Sequence, residues 1–193
     1  MKIFKKPRHP RPARLLHWTY APAVLAGVIS GFYISKPAPF WWFKSINAAR
    51  KTHFISAYVL AFSYLARFYY ALWGKNYREL LPGRQTLAAL PGFAKYELFL
   101  TKKKPEFPKY NPGQKFLITA LALLTPFVGV TGLSLYAVDA WQKQLPRAAG
   151  GLNPLRRAHY LAAVATTALT AAHIYFSTTD SLKKLKSIFT GYE

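Results

Sequence analysis

The 193-residue chain contains no cysteine. That excludes disulfides, iron–sulfur clusters held by thiolates, and haem attached covalently through C-x-x-C-H. Any metal centre must be held by other side chains, and any electrons the chain moves must reach it from a partner. Acidic residues are also scarce: six Asp and Glu stand against 27 Lys and Arg, a formal net charge of +21. Such a balance would suit nucleic acid, but the cations sit between long apolar blocks, as in a positive-inside membrane protein. No nucleic-acid partner is expected.

Charge is nearly missing from four of those blocks, and 52% of the chain is hydrophobic. The blocks are not patterned with helical or strand period, which marks membrane spans rather than amphipathic elements. Leu15 to Ile34 carries no charge, His53 to Trp73 only Arg67, and Phe116 to Tyr136 and 158–177 complete the set. Each is about the 20 residues that a helix needs to cross hydrocarbon. The expectation is an all-α integral membrane four-helix bundle, one domain over residues 1–193, with helices at about 15–34, 53–73, 116–136 and 158–177. A basic start before an apolar run has the form of a signal peptide, but the first run is long for one and cleavage would discard His17. It reads as a retained span.

Four spans put both termini on one side. Eighteen Lys and Arg lie in the two tails and the long connection 74–115, eight in the two short connections, and Arg67 inside a span. That asymmetry places both termini and the 74–115 loop in the cytoplasm. Trp41 and Trp42 suit a membrane interface. Within the loop, Pro82-Gly83 and Pro91-Gly92 read as turns and 93–100 as a short interfacial helix.

His159 and His173 decide the reading. Fourteen residues of helix rise about 21 Å through almost four full turns, so both imidazoles lie on nearly one face, one near each end of an apolar rod. His17 opens the first span on the inner side and His53 the second on the outer side. Depth alone therefore sorts four histidines into two pairs, His17 with His173 and His53 with His159. Imidazole is costly in hydrocarbon unless something binds it. The arrangement points to two haems b, each a six-coordinate electron carrier held between two helices. The competing readings are plain interfacial histidines, a proton relay, or another metal, for which no carboxylate or thiol accompanies the imidazoles. His9 reads as a solvated tail residue.

The same spacing marks further positions. Gly31 lies fourteen residues after His17, and Gly129 and Gly132 fall at a similar depth; either a macrocycle rests on bare backbone there or two helices pack closely. Arg67 lies fourteen after His53, at the inner level, to meet a propionate, line a quinone pocket or snorkel to the interface. Arg14, Arg50, Arg156 and Arg157, each near a histidine, invite the propionate reading too.

Several stretches together resemble a known family. They include Arg14-Leu15-Leu16-His17-Trp18, Arg50-Lys51-Thr52-His53-Phe54, Arg67-Phe68-Tyr69-Tyr70, Gly74 and Tyr77-Arg78-Glu79-Leu80. Further on come Tyr96-Glu97, Tyr110 to Lys115, Thr131-Gly132 with Tyr136, the fourth-span histidines and Gly191-Tyr192. They resemble the b-type cytochrome subunits of membrane-bound nickel–iron hydrogenases and the related gamma subunits of respiratory formate dehydrogenases. The second span and the loop look most like the hydrogenase branch, Asn111 to Gln114 more like the formate dehydrogenase branch.

That resemblance implies a di-haem b membrane anchor in a bacterial inner membrane. It would pass electrons from a periplasmic dehydrogenase, through an iron–sulfur subunit beside a catalytic subunit, to quinone near the cytoplasmic face. It implies the same axial pairs, and a quinone head beside the inner haem at Asn111, Gly113 and Gln114; an ordinary turn into a helix is the plainer reading of those residues. The alternatives are the formate dehydrogenase gamma role and a stand-alone superoxide:quinone oxidoreductase.

Overall fold

The computed structural model describes residues 7–38, 42–136 and 144–192. Lys2, Lys5, Lys6, Trp41 and the start of the second short connection lie outside them. Eight helices occur among the described residues: α1 (Arg11–Ser35), α2 (Ile46–Trp73), α3 (Tyr77–Leu80), α4 (Arg84–Glu97), α5 (Pro112–Tyr136), α6 (Gln144–Ala148), α7 (Leu152–Asp180) and α8 (Leu182–Thr190). Four of them, α1, α2, α5 and α7, are long and apolar enough to cross a membrane. At 25 to 29 residues they outrun the hydrocarbon, which needs about 20, so their ends reach past the apolar runs into polar sequence. Pro112 opens α5, where its missing N–H costs nothing.

The helices fall into two compact units. One comprises Leu15–Arg67 and Leu123–Ala168. Its interior is built from small and hydroxylated residues: Ala49, Ser30 and Ser63 are fully buried, and Ala162, Ser56, Thr131 and Ser134 nearly so. Large apolar side chains point outward, with Phe62 and Leu123 both 71% exposed. That inverted pattern belongs to helices whose outer solvent is lipid and whose inner faces approach closely. The buried hydroxyls bond their own helix, Ser63 to Val59 O at 2.7 Å and Ser134 to Val130 O at 2.8 Å. Tyr20 and Thr125 share a hydroxyl–hydroxyl bond of 2.5 Å between α1 and α5.

The other unit comprises the N-terminal residues to Arg14, Phe68–Ala122 and Leu169–Glu193. Here the 74–115 segment is more ordered than its polar composition suggests. The Pro91-Gly92 pair, expected to turn, lies inside α4. Thr86 Oγ1 accepts the Gly83 N–H at 3.2 Å, fixing the start of α4 upstream of that pair, and the aromatic packing of Phe93 on Phe107 and Phe176 outweighs the one lost ladder bond. The helix stops at Glu97, where Leu100 N–H bonds Lys95 O at 2.8 Å and Phe99 takes a left-handed φ of 59°.

The tails are not loose in this unit either. The His9 N–H bonds Gly191 O at 3.3 Å, and His9 is buried beside Tyr110 rather than solvated. Gly191 ends α8 at φ 92°, and a Cβ on it would stand 3.2 Å from His9 O and 3.4 Å from the Arg14 guanidinium carbon. Only glycine satisfies both conditions.

Asn111 to Gln114 form a capping box at the head of α5. Asn111 Oδ1 accepts the Gln114 N–H at 2.8 Å, and Gln114 Oε1 accepts the Asn111 N–H at 3.1 Å. Gln114 Nε2 then donates to Phe176 O at 3.2 Å, tying α5 to α7. Between the two capping residues, a Cβ on Gly113 would lie 2.7 Å from Phe93 and 2.8 Å from Phe176. Gly113→Ala is therefore expected to destabilise by about 1–3 kcal/mol through overpacking, read as a lower thermal midpoint of the purified protein. Phe93→Leu in the same chain should recover part of that loss, the Phe176 contact at 2.8 Å remaining; an unchanged midpoint in Gly113→Ala itself would rule out the clash.

Candidate haem site

His53 on α2 faces α1. Its Nδ1 lies 3.0 Å from Gly27 O and 3.2 Å from Ser30 Oγ. A carbonyl oxygen only accepts, so the proton of this imidazole is on Nδ1. The Ser30 hydroxyl donates to Ala26 O at 2.5 Å, which leaves its oxygen free to accept as well. His159 on α7 faces α5, with Nδ1 2.9 Å from Thr131 Oγ1. Thr131 gives its own hydrogen to Phe127 O, 2.8 Å away, so it too accepts from an Nδ1–H. In both rings Nε2 is left as the bare nitrogen, the tautomer an axial ligand needs.

The two ring centroids are 6.3 Å apart, with the ring planes crossed at 81°. A metal–imidazole bond of about 2.0–2.1 Å, lengthened on each side by the ~1.1 Å radius of a ring with ~1.33 Å bonds, puts two axial imidazoles about 6.3 Å apart. The observed pair already stands at that separation. Among the described residues no three of His, Cys, Asp and Glu gather into a metal cluster. The donor set here is two imidazoles, which suits a haem that brings its other four ligands with it.

Gly31 and Gly132 both sit against the imidazoles of this pair. A Cβ on Gly31 would stand 3.2 Å from His53 Cε1, and one on Gly132 3.0 Å from His159 Cε1. The bare backbone accommodates the imidazoles themselves. Gly129 meets nothing within 4 Å. Gly27 lets α1 approach α2, a Cβ there lying 3.3 Å from Ser56 Oγ.

Of the other histidines, His17 lies half-buried on α1 with its ring edge-on to Trp18 at 5.0 Å. It belongs to the unit that holds His53 and His159; His173, half-buried on α7, belongs to the other. Arg67 is half-buried on α2. Arg14 donates to Phe189 O, capping α8. Asn111, Gly113 and Gln114 come together as the head of α5. Sequence reading passed over Ser30 and the Gly27 carbonyl and gave Thr131 no role of its own, yet these orient the two imidazoles; the paired Ser30-Gly31 and Thr131-Gly132 were their signal.

Comparison with known proteins gives the family of the chain. Residues 8–191 match the model of the family described as prokaryotic cytochrome b561. The chain is 30% identical over 149 residues to a probable Ni/Fe-hydrogenase B-type cytochrome subunit of Azotobacter vinelandii, covering 69% of this chain and 62% of that protein. A subunit of the same name from Azotobacter chroococcum is 30% identical over 65% of this chain and 57% of its own length. One from Bradyrhizobium diazoefficiens is 23% identical over 93% of this chain and 81% of its own. The chain thus spans less than two thirds of either Azotobacter relative. Haem b is the cofactor such a cytochrome carries, and the His53–His159 pair fits it in spacing, tautomer and donor type. Because the family match takes in all eight described helices and all four span-end histidines, the chain belongs to the prokaryotic cytochrome b561 family.

Proposed function

We propose that this multi-pass membrane protein is the di-haem b subunit of a nickel–iron hydrogenase in a bacterial inner membrane, with both termini in the cytoplasm. It anchors an iron–sulfur subunit and a catalytic subunit on the periplasmic side and conducts their electrons to quinone near the cytoplasmic face. The observation that carries the reading is the 6.3 Å separation of His53 and His159, two imidazoles already at ligating distance with Nε2 bare.

Held between two imidazoles, haem b would supply a one-electron couple. The chain's residues do the rest. His53 and His159 hold the outer group, and Ser30, Gly27 and Thr131 keep their protons on Nδ1. His17 and His173, each fourteen residues of helix from the outer level, would hold the inner one. Arg67, fourteen residues after His53, would be at the inner level to meet a propionate. On the quinone side, the capping box consumes Asn111 Oδ1, Gln114 Oε1 and one Gln114 donor. The Asn111 Nδ2 donor remains, to meet a quinone carbonyl, with Gly113 and Gln114 shaping the turn beside it.

The hydrogenase reading is favoured over the formate dehydrogenase one by the names of the relatives above. The feature that resembles the latter, Asn111 to Gln114, has a full structural account as a helix cap. The test is haem stoichiometry on the detergent-purified complex: two b haems per chain, reduced by hydrogen when the partner subunits are present and reoxidised by quinone. A single haem, or none, would sink the proposal.

A further inference from the structure

Ser30-Gly31 and Thr131-Gly132 do the same job on different helices. In each dipeptide the hydroxyl meets Nδ1 of an imidazole, 3.2 Å for Ser30 with His53 and 2.9 Å for Thr131 with His159. The glycine that follows meets Cε1, the ring atom bonded to Nδ1, at 3.2 Å and 3.0 Å measured from an added Cβ. Neighbouring residues of the helix thus grip neighbouring atoms of the ring. Both hydroxyls are locked by donating to their own helix, Ser30 to Ala26 O and Thr131 to Phe127 O, and both side chains are buried, Ser30 fully and Thr131 at 3% exposure. With its hydrogen placed on its own helix, each hydroxyl oxygen accepts from the ring.

The Nδ1 bond lies off the axis through Nε2, so it fixes the ring's rotation about that axis as well as its tautomer. A side chain in place of either glycine would turn or push the ring. The two seats approach from α1 and α5, and the ring planes they produce cross at 81°. The seats are not equal in strength. His53 keeps a second acceptor in Gly27 O at 3.0 Å, so Ser30 shares its ring's proton, while the Thr131 oxygen stands closer to His159 Nδ1, at 2.9 Å.

We propose that Ser30-Gly31 and Thr131-Gly132 are paired imidazole seats that impose the crossed planes and Nδ1 protonation of His53 and His159, and thereby tune the outer haem. This rests on the proposed ligation by that pair. A hydrogen bond accepted from Nδ1–H makes the imidazole a stronger donor through Nε2 and so favours the oxidised form of what it binds. Thr131 and Ser30 are positioning residues, and removing either acceptor should make that one haem easier to reduce.

The test uses the intact complex with its partner subunits, comparing Thr131→Val, Thr131→Ser and Ser30→Ala. The readouts are haem count, optical redox titration and low-temperature electron paramagnetic resonance. In the wild type, crossed planes should give the outer haem a strongly anisotropic low-spin signal. Thr131→Val conserves shape and should leave the haem count unchanged. It should raise the reduced-to-oxidised ratio of one haem about tenfold at fixed ambient potential, equivalent to 59 mV for a one-electron couple, and move its signal toward an ordinary rhombic one. Thr131→Ser should restore both. Ser30→Ala, with Gly27 O still accepting, should shift the same haem in the same direction by a smaller factor.

Unchanged potential and signal in Thr131→Val, with both haems present, would overturn the seats while leaving the ligation intact. If Thr131→Val loses the haem, Ser30→Ala decides: a shift sustains the seats and no shift overturns them. A wild type in which His53→Ala costs no haem would remove the ligation itself, and the seats with it.

Discussion

His53→Ala and His159→Ala are each expected to strip the same haem from the chain, and the double substitution to strip no more than either alone. An axial pair acts as a unit: once one imidazole is gone, the other contributes nothing further to retention, so the two losses are strongly non-additive. The expectation of a shared site rests on the 6.3 Å separation of the rings. His173→Ala should remove the other haem, and combined with His53→Ala it should leave none. Hydrogen-dependent quinone reduction should fall to background in every single variant, since the two haems lie in series. The bundle should still assemble, because its four long helices are specified by apolar length and by the buried small and hydroxylated residues. Imidazole added to a His159→Gly variant would enter the space left beside Gly132 and recover part of the missing spectrum. If His53→Ala and His159→Ala removed different haems, the pairing by depth would be wrong whatever the total count.

The closeness of His53 to His159 was legible in the sequence because depth depends on rise along a helix, which is fixed by backbone geometry. Fourteen residues separate His159 from His173 whatever packs around them, and a charge-free run near 20 residues has few homes other than a bilayer. What rise cannot give is azimuth, the direction in which one helix faces another. Hence Gly31 and Gly132 were placed at the right depth, yet a macrocycle was one of their expected neighbours, while the structure puts His53 and His159 there. The roles of Ser30 and Thr131 were hidden for the same reason, since a serine or threonine in a span ordinarily bonds its own helix, and these do that too.

The polar half of the chain obscured its structure differently. Pro91-Gly92 has the local chemistry of a turn, and only the long-range packing of Phe93 on Phe107 and Phe176 overrides it. Likewise His9 looked solvated because the partner that buries it, Gly191, is the other end of the chain. Asn111 to Gln114 were legible in another sense. An Asn three residues ahead of a Gln, with Pro at the first helical position between them, has the spacing of a capping box.

The two readings of this turn can be separated by one isosteric change. Asn111→Asp keeps the Oδ1 acceptor that caps α5, and aspartate is as good an N-cap as asparagine. A negative charge at that helix N-terminus is also stabilised by the macrodipole, typically by about 0.3–1 kcal/mol. The box with Gln114, and through it the bond to Phe176 O, should therefore survive, with both haems retained and the thermal midpoint hardly changed. What the substitution removes is the Nδ2 donor, replacing it with an oxygen that repels a quinone carbonyl. If Asn111 touches the quinone head, a buried donor is lost and a charged acceptor is gained opposite the substrate's own acceptor. Quinone turnover should then drop by on the order of 10²-fold, by analogy with loss of an oxyanion-hole donor, with hydrogen reduction of both haems intact. Asn111→Ala would impair capping and quinone contact together and so cannot tell them apart. A fully active Asn111→Asp protein would reduce the motif to a helix cap, and the quinone carbonyl would have to find its donor elsewhere on the cytoplasmic side.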